Sequence, residues 1–249
     1  MSFTRYESLK GRTAIVPGGA SGIGAAFVRA FAENGTRVAF LDLQEAAGTA
    51  LAAELGQMFV PCDLMDIAAL RRALDEIRAA LGPAAILINN AANDQRYDFA
   101  TMTTEEFDRT VAVNFRHVFF AAQAVAPQMR ELGHGSIVNM SSVSWMRGIP
   151  FLEAYGSAKA AIVGFTNTLA RALGPHRIRV NAVAPGMVLT ERQRRLWFQD
   201  ESLIEAGLAQ QCLPDPIAPA DIANLALFLA SDDARLITKQ CISVNGGVL

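Results

Sequence analysis

The sequence predicts a single α/β domain, doubly wound around a parallel sheet. Three observations carry this expectation. Apolar, β-rich runs alternate with helical patterns almost from end to end. The strand-like runs are apolar throughout rather than alternating, as strands buried on both faces must be. No stretch rich in Gly, Ser or Pro, no internal repeat and no low-complexity segment divides the 249 residues. Strand–helix alternation with right-handed crossovers then leaves the doubly wound topology.

The elements follow in order. Thr13–Val16 is a strand and Gly22–Glu33 a helix; Arg37–Leu41 is a second strand, and Gln44–Leu55 an alanine-rich helix. Met58–Pro61 is a third strand. In Asp66–Leu81, Ile67, Leu70, Leu74, Ile77 and Leu81 recur at helical spacing. Ala85–Asn89 is a fourth strand. Thr104–Leu132 reads as one long helix, with Thr103 or Thr104 as its cap and Glu105 and Glu106 at the positive end of its dipole. Ser136–Met140 is a fifth strand, Ala154–Leu173 a helix and Arg179–Ala182 a sixth strand. Pro185–Pro219 breaks the rhythm; Ala220–Ala230 is a helix and Gln240–Val244 the last of seven strands.

Composition narrows the function. Hydrophobic residues make up 51% and charged residues 18%, with a net charge of −2. A nucleic-acid binder needs clustered Lys and Arg, and this chain has no such balance. No run of about 18 uncharged apolar residues is present, so no membrane-spanning helix is expected. Met1–Arg12 has no apolar signal-peptide core. Three widely spaced cysteines, Cys62, Cys212 and Cys241, make no disulfide framework, and no Cys/His spacing suggests a metal. The expectation is a reduced, cytoplasmic enzyme domain spanning residues 1–249.

The first strand runs into Gly18-Gly19-Ala20-Ser21-Gly22-Ile23-Gly24 at a helix start. Residues without a Cβ let the main chain approach a pyrophosphate, and the helix N-terminus offers free N–H groups. Asp42 ends the second strand, 20 residues after Gly22. A carboxylate there accepts hydrogen bonds from the adenosine ribose and repels a 2′-phosphate, which favours NAD over NADP. Tyr155 and Lys159, four apart on one helix, share a face. A cation beside the phenol favours phenolate; bringing a tyrosine from about 10 to about 7 takes roughly 4 kcal/mol. Tyr155 would then serve as a general base.

On these pieces the chain resembles the short-chain dehydrogenase/reductase family over essentially its full length. The matching residues are Gly18, Gly22 and Gly24, Asp63, Asn89-Asn90-Ala91-Ala92, Asn114, Ser142, Tyr155 with Lys159, and Pro185-Gly186 with Thr190. The resemblance implies a Rossmann-type fold. It implies that Ser142 orients the reacting oxygen, Tyr155 exchanges its proton, Lys159 lowers the tyrosine pKa and holds the nicotinamide ribose, and Asn114 anchors a relay water. Asp63 and Leu64 would meet the adenine, Asn90 and Ala91 line the cofactor crevice, and Val188 and Thr190 hold the carboxamide side. Ser21, Ile23 and Leu43 would complete the cofactor contacts. Ser142 is preferred to Ser141 because it stands 13 residues before Tyr155. Pro17 departs from the family's usual threonine and leaves the bracing of the glycine loop open.

More local matches are similar to the sugar-oxidising branch of that family, the D-xylose, galactose and related aldose 1-dehydrogenases. They are Asn93-Asp94, Asn114-Phe115-Arg116-His117, Ser144-Trp145, Arg192-Gln193, Leu196-Trp197 and Gln211-Cys212-Leu213-Pro214. A neutral sugar wants amide, carboxylate and guanidinium partners with a flat aromatic. Asn93, Asp94, Arg96, Ser144, Trp145, Arg147, Arg192 and Trp197 offer them. The expected reaction is NAD-dependent oxidation of an aldose at C1 to the lactone, under a lid at Met187–Leu213. The alternatives are a carbonyl reductase, an enzyme for a uronate or hydroxy acid held by Arg96, Arg147 and Arg192, and a non-catalytic nucleotide sensor. The resemblance also implies a homotetramer. His117 and His134 are read as structural or surface residues, Cys212 as an apolar filler, Arg194 and Arg195 as a solvated face, and Glu153 as pocket or surface.

Overall fold

A computed structural model of the chain describes residues 3–249. Met1 and Ser2, the start of the segment read for a signal peptide, lie outside the described residues. Seven strands are present: β1 (Thr13–Pro17), β2 (Arg37–Asp42), β3 (Met58–Pro61), β4 (Ile86–Asn89), β5 (Gly135–Met140), β6 (Ile178–Pro185) and β7 (Cys241–Val244). All pair in parallel, in the order β3-β2-β1-β4-β5-β6-β7. The doubly wound sheet is therefore as the alternation predicts. The order reverses between β1 and β4, and the crevice beyond their carboxyl ends is where such sheets take ligands.

Strand alternation sends neighbouring side chains to opposite faces. Val16, Val38, Phe40, Ile86, Ile88 and Val138 join Phe27 and Phe31 of α1 (Gly22–Glu33), Leu51 of α2 (Glu45–Leu55) and Ile222 and Leu227 of α10 (Pro219–Ala230). On the other face Ile15, Leu41, Leu87, Ile137 and Val180 join Leu70, Leu74 and Ile77 of α3 (Ile67–Leu81). The same layer holds Ala121, Val125 and Met129 of α5 (His117–Leu132) and Ala170 and Leu173 of α7 (Glu153–Leu173). Burying both faces explains the unbroken apolar strands. Helix starts are capped by local side chains: Asp66 accepts from Ala68 and Ala69 N–H at 2.8 and 3.0 Å. Thr103, rather than Thr104, caps α4 (Thr104–Val111), exchanging bonds with Glu106 in a capping box.

Two expectations need correction. The long helix over Thr104–Leu132 is broken by a π turn at Ala112–Arg116, which separates α4 from α5. Such turns carry an extra residue and recur at functional positions. This one holds Asn114 fully buried, with its amide turned onto the main chain of Asn93. Pro185–Pro219 is also more regular than its prolines suggest. It contains α8 (Glu191–Leu196), capped by Thr190, and α9 (Glu201–Leu208), capped by Asp200. A short α6 (Ser144–Arg147) follows β5. Among the described residues no helix is long and apolar enough to cross a membrane.

Candidate active site

The glycine loop is made of bare main chain. Gly18 and Gly22 take positive φ of 78° and 56°, which residues with a Cβ rarely adopt. A Cβ on Gly24 would stand 1.8 Å from the Gly18 carbonyl oxygen, so α1 can begin this close only with glycine there. Asn90 Nδ2 donates to the Gly18 carbonyl at 2.7 Å, and Ala91 N–H donates to the Pro17 carbonyl at 2.9 Å. Asp42 Oδ2 accepts from Ala20 N–H at 3.0 Å, while Oδ1 accepts from Gln44 N–H at 3.1 Å. Gln44 in turn donates to Ser21 Oγ at 2.9 Å. The bracing that Pro17 leaves open thus comes from Asn90 and Asp42. Gln44, read only as the start of a helix, is a residue the sequence reasoning missed here.

Thr190 closes the same edge. Its methyl would lie 3.3 Å from a Cβ on Gly22, so the chain leaving Pro185-Gly186 returns to the loop. Val188 is buried, and Leu43 is exposed beyond Asp42. Asp63 Oδ1 accepts from Met65 N–H at 2.9 Å, and Leu64 is buried beside it. The glycine loop, the α1 N-terminus, Asp42 and the Asp63–Leu64 turn fit a dinucleotide: uncovered N–H groups for its phosphates and a carboxylate for its ribose.

Ser142 follows β5, and Tyr155 and Lys159 occupy the first two turns of α7. The hydroxyl of Ser142 acts on the Tyr155 phenol in the sense that favours phenolate, and it accepts from Ser144 N–H at 3.1 Å. Ser141 points elsewhere, donating to the Lys159 carbonyl at 2.8 Å and accepting from Trp145 Nε1 at 3.3 Å. Lys159 Nζ donates to the Met140 carbonyl at 2.8 Å and lies 5.6 Å from the Tyr155 ring centroid. Asn114 Oδ1 accepts from Asn93 N–H at 3.0 Å, and its Nδ2 donates to the Asn93 carbonyl at 2.9 Å.

The charge balance differs from the expectation that Lys159 brings Tyr155 down. Burial, and then the Asp94 carboxylate, push the Tyr155 pKa above its ordinary value; the Ser142 hydroxyl and Arg192 oppose this. Burial lowers Lys159 to about 7, with Asp94 pulling it back up. Desolvation dominates both shifts because the phenolate and the ammonium each lose water here.

The expected substrate side chains form a latch rather than a set of free groups. Arg192 Nη1 pairs with Asp94 Oδ1, Arg192 Nη2 donates to Asn93 Oδ1 at 2.9 Å, and Gln193 Nε2 donates to Asp94 Oδ2 at 2.6 Å. Arg96 stacks over Trp197 at 4.4 Å, and the indole Nε1 is buried without a partner. The start of the segment 187–213 is thereby fastened over the loop after β4. Gln193, whose neighbour alone was expected to bind, belongs to this latch. Arg147 is exposed and bonds Gln210, and Trp145 is 38% exposed. Ser144 is buried with its hydroxyl unpartnered, so it does not open onto the crevice as expected of a substrate contact.

Other side chains fall as follows. Glu153, Arg194, Arg195 and His134 are exposed. Cys212 is exposed too, its thiol against the Gly247 carbonyl at 3.2 Å, which corrects its reading as an apolar filler. His117 is not at the surface but fully buried. Among the described residues, no group of three or more His, Cys, Asp or Glu is placed to hold a metal.

Comparison with known proteins agrees with this geometry. A family model described as Enoyl-(Acyl carrier protein) reductase matches residues 18–249. The chain is 46% identical to a probable galactose dehydrogenase of Rhizobium meliloti, covering 98% of each. It is 44% identical to D-xylose 1-dehydrogenase of Caulobacter vibrioides, covering 99% of each. A crystal structure described as ribose-5-phosphate isomerase from Brucella melitensis superposes with a TM-score of 0.91 at 32% identity, over 98% of this chain and 94% of the other. With these full-length relatives, the chain belongs to the short-chain dehydrogenase/reductase family and is an oxidoreductase that works with a nicotinamide cofactor.

Proposed function

We propose that this protein oxidises a neutral aldose at C1 with NAD, releasing the aldonolactone. The observation that carries the neutral substrate is the latch. Arg192 is held by Asp94 and Asn93, Arg96 by the face of Trp197 and Arg147 by Gln210. Of the expected clamp, Arg192 is thus neutralised by a carboxylate of the chain itself, while Arg96 and Arg147 rest on uncharged partners. Asp94 instead acts on Tyr155 and Lys159 as a negative charge, which disfavours an anionic substrate and suits hydroxyl donors. The two sugar dehydrogenases quoted above support the same reading.

NAD follows from Asp42. Its carboxylate would accept from the ribose hydroxyls, and Leu43 and Gln44 after it supply no cation for a 2′-phosphate. Gly18, Ser21, Gly22, Ile23 and Gly24 would hold the phosphates. Asp63, Leu64, Asn90, Ala91, Gly186, Val188 and Thr190 would line the remainder. When bound, NAD would supply the hydride acceptor and a positive charge that favours phenolate. That charge is what Tyr155 needs, since burial alone leaves it protonated.

The chain's own groups do the rest. Tyr155, as phenolate, takes the proton of the anomeric hydroxyl, and Ser142 holds that oxygen as it becomes a carbonyl. Lys159 presents its remaining N–H groups to the cofactor ribose, and Asn114 steadies the loop carrying Asn93. Asn93, Asp94, Trp145 and Trp197 face the sugar, and closure of 187–213 excludes water. The whole chain acts as one catalytic domain. It assembles as a homotetramer through α4, α5 and α7, where Phe107 and Phe119 are exposed, and works in the reducing cytoplasm, where three free cysteines persist.

Changing Tyr155 to Phe tests this directly. With circular dichroism and NAD binding retained, kcat on the best aldose should fall about 10²–10⁴-fold. Near-native turnover by that variant would end the assignment of Tyr155 as base.

A further inference from the structure

His117 opens α5 immediately after the π turn that carries Asn114. It is fully buried, and neither ring nitrogen has a hydrogen bond of good geometry, although the Ala112 carbonyl acts on the ring as a backbone acceptor. Buried polar atoms are almost always satisfied, and an imidazole with neither nitrogen well bonded is uncommon. Ala121, one turn on, packs in the layer that holds Leu87 and Ile137. His117 therefore faces the same side of the sheet, toward its carboxyl end. Two residues beyond Leu87 and Ile137 on that face stand Asn89 and Asn139. They are joined by a 2.8 Å bond, and Asn139 donates to Thr166 of α7 at 3.0 Å. Asn89 Oδ1 is bare. The π turn packs against α7, and Lys159 is the charge that reaches His117.

We propose that His117 is a positioning residue for the reaction: through a buried water shared with Lys159, its neutral ring holds the Lys159 ammonium in place and charged. A ring nitrogen without a good partner suits that water, which needs two to four polar partners. Lys159 has a donor to spare after Met140 and the cofactor ribose. Burial keeps the imidazole itself neutral, down at about 3, so it offers a lone pair and never a competing charge. Among the groups around it, Lys159 is the cation on α7, while Asn89 and Asn139 on β4 and β5 and Thr166 on α7 are uncharged. Arg116, its neighbour, turns away to the Met65 carbonyl at 2.7 Å, and Asp94 acts on Tyr155 and Lys159 from across the crevice.

This inference rests on the Tyr155–Lys159 chemistry proposed above and is tested separately from it. In His117→Leu the lone pair is lost, Lys159 gives up its proton more readily, and phenolate forms at higher pH. The acid limb of kcat/KM for sugar oxidation should then move up by about one pH unit. Below both limbs that is roughly a tenfold loss, larger than the change on the alkaline plateau. His117→Gln, which keeps a donor and an acceptor, should return the limb toward wild type. An unmoved limb in the leucine variant, or equal losses in both variants at every pH, would reduce His117 to packing. If the leucine variant does not fold, imidazole nitrogen NMR of the wild type decides. A protected N–H resonance of His117 that shifts in Lys159→Met supports the proposal, and one that does not move overturns it. Failure of Tyr155→Phe to lose activity would instead remove the chemistry on which it rests.

Discussion

Across the crevice, Gly18–Gly24 presents bare main chain, whereas Asn93–Arg96 and Arg192–Trp197 present side chains clasped to one another. The first wall works because atoms are missing: a Cβ on Gly24 would overlap the Gly18 carbonyl. Its braces, Asn90 and Asp42, come from the ends of neighbouring strands, whose positions the sheet already sets. The second wall works because side chains find partners far away in sequence, Asp94 with Arg192 and Arg96 with Trp197. A wall of main chain serves any dinucleotide-binding relative. A wall of paired side chains can be re-paired, and the proposed function puts substrate choice there.

The contrast can be broken most severely at the first wall. Gly24→Ala forces the loop and α1 apart, so NADH affinity, read by fluorescence titration, should fall at least about 100-fold, on the scale of several lost charge-assisted N–H contacts. Retained affinity would mean that the close approach is not what holds the phosphates. The second wall should answer more mildly and more selectively. Arg192→Ala leaves Asp94 partly buried without its cation, holding only Gln193, which costs on the order of 1.5–3 kcal/mol. KM for the sugar should rise about 10–100-fold while NADH affinity stays within about twofold. Equal damage to both ligands would show that the two walls are not separable.

A third effect concerns stability rather than binding. Lys159 is lowered to about 7 by burial, against about 10.4 when unfolded. Between those values the unfolded chain binds a proton that the native one does not, so this lysine makes stability rise with pH across that window. Lys159→Met should therefore raise Tm most below pH about 7. The gain, some 2–4 °C per kcal/mol, should shrink toward pH about 10. A pH-independent difference would mean that Lys159 is not held with a lowered pKa.

How much of this was legible in the sequence follows the same contrast. The glycine loop, Asp42 and the Tyr155–Lys159 spacing are local patterns, and the topology sets where they meet. The π turn is not visible, because Ala112–Arg116 are ordinary helix residues. What distinguishes them is Asn114 reaching Asn93, a contact made only after the β4 loop folds back. Nor does helical spacing say that Arg192 and Gln193 pair with Asp94, or that His117 faces the sheet. The arginines read as a possible carboxylate clamp are engaged by partners up to 99 positions away. Exposure misleads in the same way: Cys212 reads as a filler but lies outside, against Gly247.

The central claim is that the second wall selects a neutral sugar and the first selects NAD. The most direct test is NADH formation by the purified chain on D-xylose, D-galactose, L-arabinose and D-glucose, beside the corresponding uronates and a set of hydroxy acids, with NAD and then NADP. The account expects turnover of at least one neutral aldose with NAD, its lactone as product, and far slower reaction with the uronates and with NADP. Preferred oxidation of a uronate or hydroxy acid would contradict it, showing that Arg192 leaves Asp94 to bind the substrate.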